Sequence, residues 1–207
     1  VASLGMFYPG TEGLTSSDAG QNLDYVHSMT VKIIARMATL VAMWEHIRNG
    51  YDPVPSRTDL TYAENFLYMM SGKEPDPFHA SIMDTCLVLH AEHTINASTF
   101  AALVAGSTLA APNGVIAAAI GTLSGPLHGG ANQRVVEMLQ EIGAPEHARA
   151  WVDKQLAVTA KIWGMGHREY KVKDPRAVIL QKLVEKLAAY KGGNVSPLFE
   201  TALKVEE

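Results

Sequence analysis

Two histidines of this chain sit among glycines, in Ser124-Gly-Pro-Leu-His128-Gly-Gly-Ala-Asn132 and in Gly164-Met-Gly-His167-Arg168. Glycine lets backbone approach a ligand with no Cβ in the way, and imidazole is the side chain whose proton moves most readily near neutral pH. Cations follow the second histidine closely, at Arg168, Lys171, Lys173 and Arg176. A third constellation, His90-Ala-Glu-His93, lies upstream. Three histidine sites with arginine nearby point to proton-transfer chemistry on an anionic substrate.

Each site has a plainer alternative. A lone histidine in the setting of His128 more often caps a turn. Here the flanking glycines and the helix expected to start beside it shift the balance: a helix N-terminus disfavours imidazolium, and a neutral His128 can donate a hydrogen bond to a developing enolate oxygen. Four cations in the nine residues 168–176 ordinarily form a solvated surface. Arg176, however, follows Asp174-Pro175, a strong helix start in which Asp caps and Pro takes the first helical position. A guanidinium fork fixed there can hold a carboxylate bidentately, the other cations can meet phosphates, and His167 beside that carboxylate can polarise a neighbouring carbonyl. His90 and His93, three apart, share a face if helical. Their spacing also suits a metal, with Glu92 or Cys86 as further ligands, but no paired cysteines and no HExxH pattern support one. His27, His46, His79 and His147 have no comparable setting, and there is no GxGxxG or GxxxxGK[ST] fingerprint.

The elements that must position these residues read as helices almost throughout. Tyr25 to Arg48 carries apolar residues near the 3.6-residue period, with Asn49-Gly50 as its stop. Further helices are expected at Thr61–Met70, Phe78–His90, Ser98–Leu109, Gly114–Leu123, Gly130–Ile142, Glu146–Trp163, Pro175–Tyr190 and Pro197–Val205. No alternating strand, repeat or low-complexity tract interrupts them, so an all-α fold is expected. From Thr94 to Gln133 there are 40 residues without Asp, Glu, Lys or Arg. Their Ala, Gly, Ser and Thr content, broken by Pro112-Asn113-Gly114, suits two closely packed helices in a core or subunit interface better than a membrane hairpin.

Composition narrows the class further. The chain is 47% hydrophobic, enough for a sizeable core, and its formal charge of −4 supplies no basic excess for nucleic acid. A single cysteine, Cys86, excludes an internal disulfide framework and fits a reducing compartment. Val1 opens in ordinary sequence without a signal-peptide pattern.

Taken together, Leu89-His-Ala-Glu-His-Thr-Ile-Asn-Ala-Ser-Thr-Phe100, the His128 segment, and Gly166-His-Arg-Glu-Tyr-Lys171 with Asp174-Pro-Arg176, in that order, resemble the citrate synthase family in its bacterial or archaeal form. The resemblance implies a multi-helical fold with a large and a small domain, both incomplete here: residues 1–129 in the large one, with helices for a homodimer interface or an oligomer built from dimers, and 130–207 in the small one. It implies an acyltransferase that condenses acetyl-CoA with oxaloacetate and hydrolyses citryl-CoA to citrate and CoA. His128 would stabilise the enolate of acetyl-CoA, and His167 would hydrogen-bond the oxaloacetate carbonyl. His93 and Arg176 would bind oxaloacetate. Lys161, Ile162, Gly164 and Met165 would run along CoA, with Arg168 and Lys171 near its phosphates.

The same resemblance implies no metal, no cofactor beyond the acyl-CoA substrate, no nucleic-acid or membrane partner, and a cytoplasmic location. The family's proton-abstracting aspartate belongs to an Asn-Val-Asp-like motif farther past the second histidine than the 40 residues that follow His167. The chain is therefore expected to be a central fragment, inactive alone. Two alternatives stay open: a 2-methylcitrate synthase using propionyl-CoA, and a non-catalytic relative that keeps only the fold.

Overall fold

A computed structural model describes residues 1–3, 14, 18–92, 94–166, 170–190, 192 and 196–207. Among these residues there are helices and turns and no strand, the all-α class expected. The chain divides into two compact units, Val1–Thr122 and Leu123–Glu207; the domain boundary expected from sequence stood at 129/130. The His128 turn thus lies in the second unit.

The first unit holds five helices. α1 spans Ala19–Arg48, and the Asp18 carboxylate caps it by accepting the Gln21 N–H at 2.9 Å. It begins six residues before the expected Tyr25, in a polar stretch where no apolar period announces it. α2 spans Tyr62–Ser71 and opens with a capping box between Thr61 and Glu64, then ends on Gly72 at φ 68°. The Thr61 hydroxyl, with its backbone N–H, holds the Glu64 carboxyl below the usual range. α1 and α2 pack through Ala38, Ala42 and Met69, flanked by Phe66, Tyr68 and Met70. Small alanines on α1 let Met69 fill the gap, and His46 Nε2 donates to the Met69 carbonyl at 2.9 Å. Met69 is 1% exposed. Replacing it with Ala leaves a cavity and is expected to cost about 2–5 kcal/mol of folding stability, read by denaturant unfolding.

α3 covers Pro77–Leu89, capped by Asp76. α4 covers Ala97–Gly106, capped by Asn96, and α5 covers Pro112–Leu123. At 1.5 Å per residue these two uncharged helices are about 15 and 18 Å long, well short of the roughly 30 Å hydrocarbon layer. The uncharged stretch is two short helices, as read from its Pro-Asn-Gly break. α1 alone among the described helices is long and apolar enough to cross a membrane, by length and composition only. It carries Asp24, Lys32, Arg36, Glu45 and Arg48 along its length.

The second unit builds its core on α6, Ala131–Ile142, whose Met138, Leu139 and Ile142 are buried with Ala148. A 3₁₀ turn at Pro145–His147 leads into α7, Ala148–Ala157. α8 runs Pro175–Tyr190 and α9 runs Pro197–Glu206. Val135, Trp151, Ile162, Trp163, Leu198, Ala202 and Val205 pack around the α6 cluster. One expectation is corrected here. The helix expected over Glu146–Trp163 ends at Ala157. Thr159 takes φ 52°, and the amides of Val158, Thr159 and Ala160 turn back to the carbonyls of Gln155 and Leu156. Ile162 then enters the core as a loop residue, without continuing the helix face.

Candidate active site

The His128 loop is built from main-chain bonds. His128 N–H donates to the Gly125 carbonyl at 3.0 Å, Gly129 N–H to Leu123 at 2.9 Å, and Gly130 N–H to Gly125 at 3.1 Å. Ala131 N–H donates to the His128 carbonyl at 3.1 Å as α6 begins. A side chain is excluded at 129 and crowded at 130. A Cβ at 129 would stand 2.4 Å from the Leu123 carbonyl oxygen, and one at 130 would stand 3.0 Å from Pro126 Cα. His128 itself is half-buried, while Leu127 beside it is 85% exposed. The loop therefore presents an imidazole immediately before a helix N-terminus, the placement read from sequence.

Arg176 occupies the second position of α8. The Asp174 carboxylate caps the helix start by accepting the Arg176 backbone N–H on Oδ1 at 2.8 Å. It also accepts from the Arg176 side chain, with Nε 3.1 and 3.2 Å from the two oxygens and Nη2 2.7 Å from Oδ2. The pair is three-quarters buried, at 27% and 25% side-chain exposure. The expected guanidinium fork is present, and one carboxylate that it grips is the chain's own. Sequence reading assigned Asp174 to capping alone. The signal was available in Asp-Pro-Arg itself: the N-cap lies outside the helix, so the rule that i and i+2 side chains diverge on a helix does not separate them.

The segment proposed for an acyl carrier is anchored on the α6 core through Ile162 and Trp163. Ile162 packs on the α6 core, whereas Lys161, Gly164 and Met165 are exposed. Met165 N–H donates to the Ile162 carbonyl at 3.3 Å, and Gly164 and Gly166 take φ 88° and 73°. Those left-handed positions favour glycine, and at 164 a Cβ would also press Val135 at 3.3 Å. Lys161 Nζ stands 4.1 Å over the Trp163 ring, a cation–π partner that the sequence reading missed. Lys161 also lines a cavity of about 260 Å³ with Arg134, Trp151 and Trp163. That is smaller than the roughly 300–1,000 Å³ of small-molecule sites, and neither His128 nor Arg176 lines it. Lys171 is exposed in the loop before α8.

His93, His167 and Arg168 lie outside the described residues. His90 is the C-cap of α3, and its Nδ1 donates to the Cys86 carbonyl at 2.6 Å. α3 stops at Leu89, so the shared helical face considered for His90 and His93 does not continue past His90. Glu92 accepts the backbone N–H of Thr94. Among the described residues no three His, Cys, Asp or Glu side chains gather as metal ligands.

The chain as a whole is similar to proteins of known kind. The family profile described as "Citrate synthase, C-terminal domain" matches residues 1–207. The citrate synthase of Acidithiobacillus ferridurans is 58% identical over 206 residues, which cover 100% of this chain and 53% of that protein. The crystal structure of citrate synthase from Pyrobaculum aerophilum aligns at TM-score 0.84 with 38% identity, over 99% of this chain and 50% of its own. A ternary complex of carboxymethyl coenzyme A and oxaloacetate with the citrate synthase of Thermoplasma acidophilum aligns at 0.78 with 34% identity, over 95% and 50%. This chain thus spans about half the length of the curated relatives it matches. With the profile matched from residue 1 to residue 207, the chain belongs to the citrate synthase family.

Proposed function

We propose that this chain carries the enolate-stabilising and oxaloacetate-binding part of a citrate synthase, acting on acetyl-CoA and oxaloacetate. The observation that carries this reading is the presence, in one compact unit, of the His128 loop and the Asp174-held Arg176. A carboxylate base removes a proton from the acetyl methyl group, and His128 donates a hydrogen bond to the thioester oxygen as it gains charge. The methyl carbon then bonds to the oxaloacetate carbonyl carbon, whose oxygen His167 polarises and which ends protonated. Water cleaves the citryl-CoA thioester, giving citrate and CoA. His93 and Arg176 hold the dicarboxylate. Lys161, Ile162, Gly164 and Met165 run along CoA, with Arg168 and Lys171 at its phosphates. The exposed Lys161 and Met165 around the anchored Ile162 favour that assignment, as does the pairing of a coenzyme A analogue with oxaloacetate in the Thermoplasma complex. The resemblance puts the family's aspartate base in a motif that these 207 residues do not carry, and the chain alone is proposed to be inactive.

The enzyme is further proposed to be a cytoplasmic homodimer, or an oligomer built from dimers. Ile34, Val41 and Trp44 of α1 are 56%, 47% and 65% exposed, and Phe100 and Leu103 of α4 are 62% and 54% exposed. Apolar faces of this kind mark interaction sites. Sedimentation of the complete gene product checks it, and a monomeric mass counts against it.

The test of activity is release of CoA thiol by the complete gene product. Acetyl-CoA with oxaloacetate is expected to turn over at least about 10-fold faster than propionyl-CoA, since one methylene is worth about 1–3 kcal/mol. Equal or faster use of propionyl-CoA makes it a 2-methylcitrate synthase. No release from either makes it a non-catalytic relative.

A further inference from the structure

The stop of α7 is made by a residue poorly suited to it. Thr159, the second residue after the helix, takes φ 52°. The amides close a Schellman motif around it: Ala160 N–H donates to the Gln155 carbonyl at 2.9 Å and Thr159 N–H to the Leu156 carbonyl at 3.1 Å. Glycine ordinarily fills that position, because a left-handed backbone brings Cβ too close to the following carbonyl. A β-branched residue there is an outlier. Thr159 is exposed, so burial offsets little of the strain. Its hydroxyl donates to the Val158 carbonyl at 2.8 Å, a bond that holds the turned conformation.

The chain runs from this turn directly into Lys161-Ile162-Trp163-Gly164. Ile162 and Trp163 pack on the α6 core, the Lys161 ammonium stands over the Trp163 ring, and Gly164 turns the chain again at φ 88°. A left-handed residue thus stands at each end of residues 160–163, with an apolar anchor between them. Strained backbone persists only where the surrounding structure over-determines it, and it clusters at ligand clamps. We infer that Thr159 is a positioning residue for acyl-CoA: its strained turn fixes the direction in which residues 161–165 leave α7, so that the segment is ordered before the carrier arrives. This rests on the reading of that segment as the one that runs along CoA. Thr159 acts through the segment and not on the substrate. Backbone entropy lost on folding is not lost again on binding, so the turn weakens the fold and strengthens the complex.

Those two effects have opposite signs, and Thr159→Gly reads them apart. In the complete gene product, glycine relieves more left-handed strain than it adds entropy to the unfolded chain. The thermal unfolding midpoint is therefore expected to rise by about 1–3 °C. KM for acetyl-CoA is expected to rise about 3- to 10-fold, the scale of re-ordering one residue's backbone on binding. KM for oxaloacetate and kcat should change less than about 2-fold. Thr159→Asn keeps a Cβ in a residue that tolerates the left-handed region, and should recover most of the acetyl-CoA KM. A helix stop with no further role would leave both KM values unmoved. A Gly variant with unchanged acetyl-CoA KM, or with both KM values raised alike, overturns the inference. A midpoint that fails to rise overturns the strain on which it stands. If the wild type shows no turnover, calorimetric titration with CoA makes the same comparison. Wild type that binds no CoA overturns this inference together with the assignment of residues 161–165, whereas equal binding by wild type and Gly variant removes the positioning role alone.

Discussion

His128→Ala in the complete gene product is expected to lower kcat for CoA release by about 10²- to 10³-fold, the usual cost of deleting one donor to a developing oxyanion. KM for oxaloacetate should change little, because His128 is assigned to the acetyl-CoA half of the reaction. The loop should survive the substitution. Its shape rests on amides of His128, Gly129 and Gly130 reaching the carbonyls of Gly125 and Leu123, none of which needs an imidazole. A circular dichroism spectrum and unfolding midpoint equal to wild type, with activity lost, are the result that assigns chemistry to His128. Retained activity would sink the role.

Gly129→Ala is expected to do the reverse, damaging structure first and activity as a consequence. The added methyl meets the Leu123 carbonyl oxygen at 2.4 Å and the Leu123 side chain at 2.7 and 2.9 Å. A carbonyl oxygen at the end of α5 cannot swing aside as a flexible side chain can. Relief requires the loop to lift, which lengthens the 2.9 Å bond from Gly129 N–H to that same oxygen. Overpacking and a weakened backbone hydrogen bond together predict about 2–4 kcal/mol of destabilisation. Activity should fall with it, because the displaced segment carries His128. Gly130→Ala, where the contacts are 3.0 and 3.2 Å, should show the same effects to a smaller degree. Denaturant unfolding of both variants orders them, and a fully stable Gly129→Ala protein would contradict the loop geometry.

Much of this fold is written locally in the sequence. α2, α3, α5, α6 and α8 fall within a few residues of where apolar period, caps, prolines and glycines put them, because each carries its own start or stop. The misses have physical causes. α1 starts at Ala19 because Asp18 caps it, and a first turn of Ala, Gly, Gln and Asn gives no period to read. Trp151, Leu156, Val158 and Ile162 imitate one helical face, yet the chain turns at Thr159, and Ile162 reaches the core by a different route. At the site, the types and spacing of His128 and Arg176 were sufficient to expect a loop histidine and a helix-start arginine. The steric demand at Gly129, the ring under Lys161 and the grip of Asp174 depend on distances that no linear pattern states.

The His128 loop also has a consequence for engineering. The amides of residues 128–131 bond main chain to main chain, and its crowded positions are 129 and 130. Leu127, adjacent to the imidazole, supplies none of those bonds and is 85% exposed. A combinatorial library aimed at the neighbourhood of His128 should therefore hold Gly129 and Gly130 fixed and randomise 127. At that position the leucine side chain is largely in solvent, so replacements there are expected to alter the surroundings of His128 more than the fold of the loop.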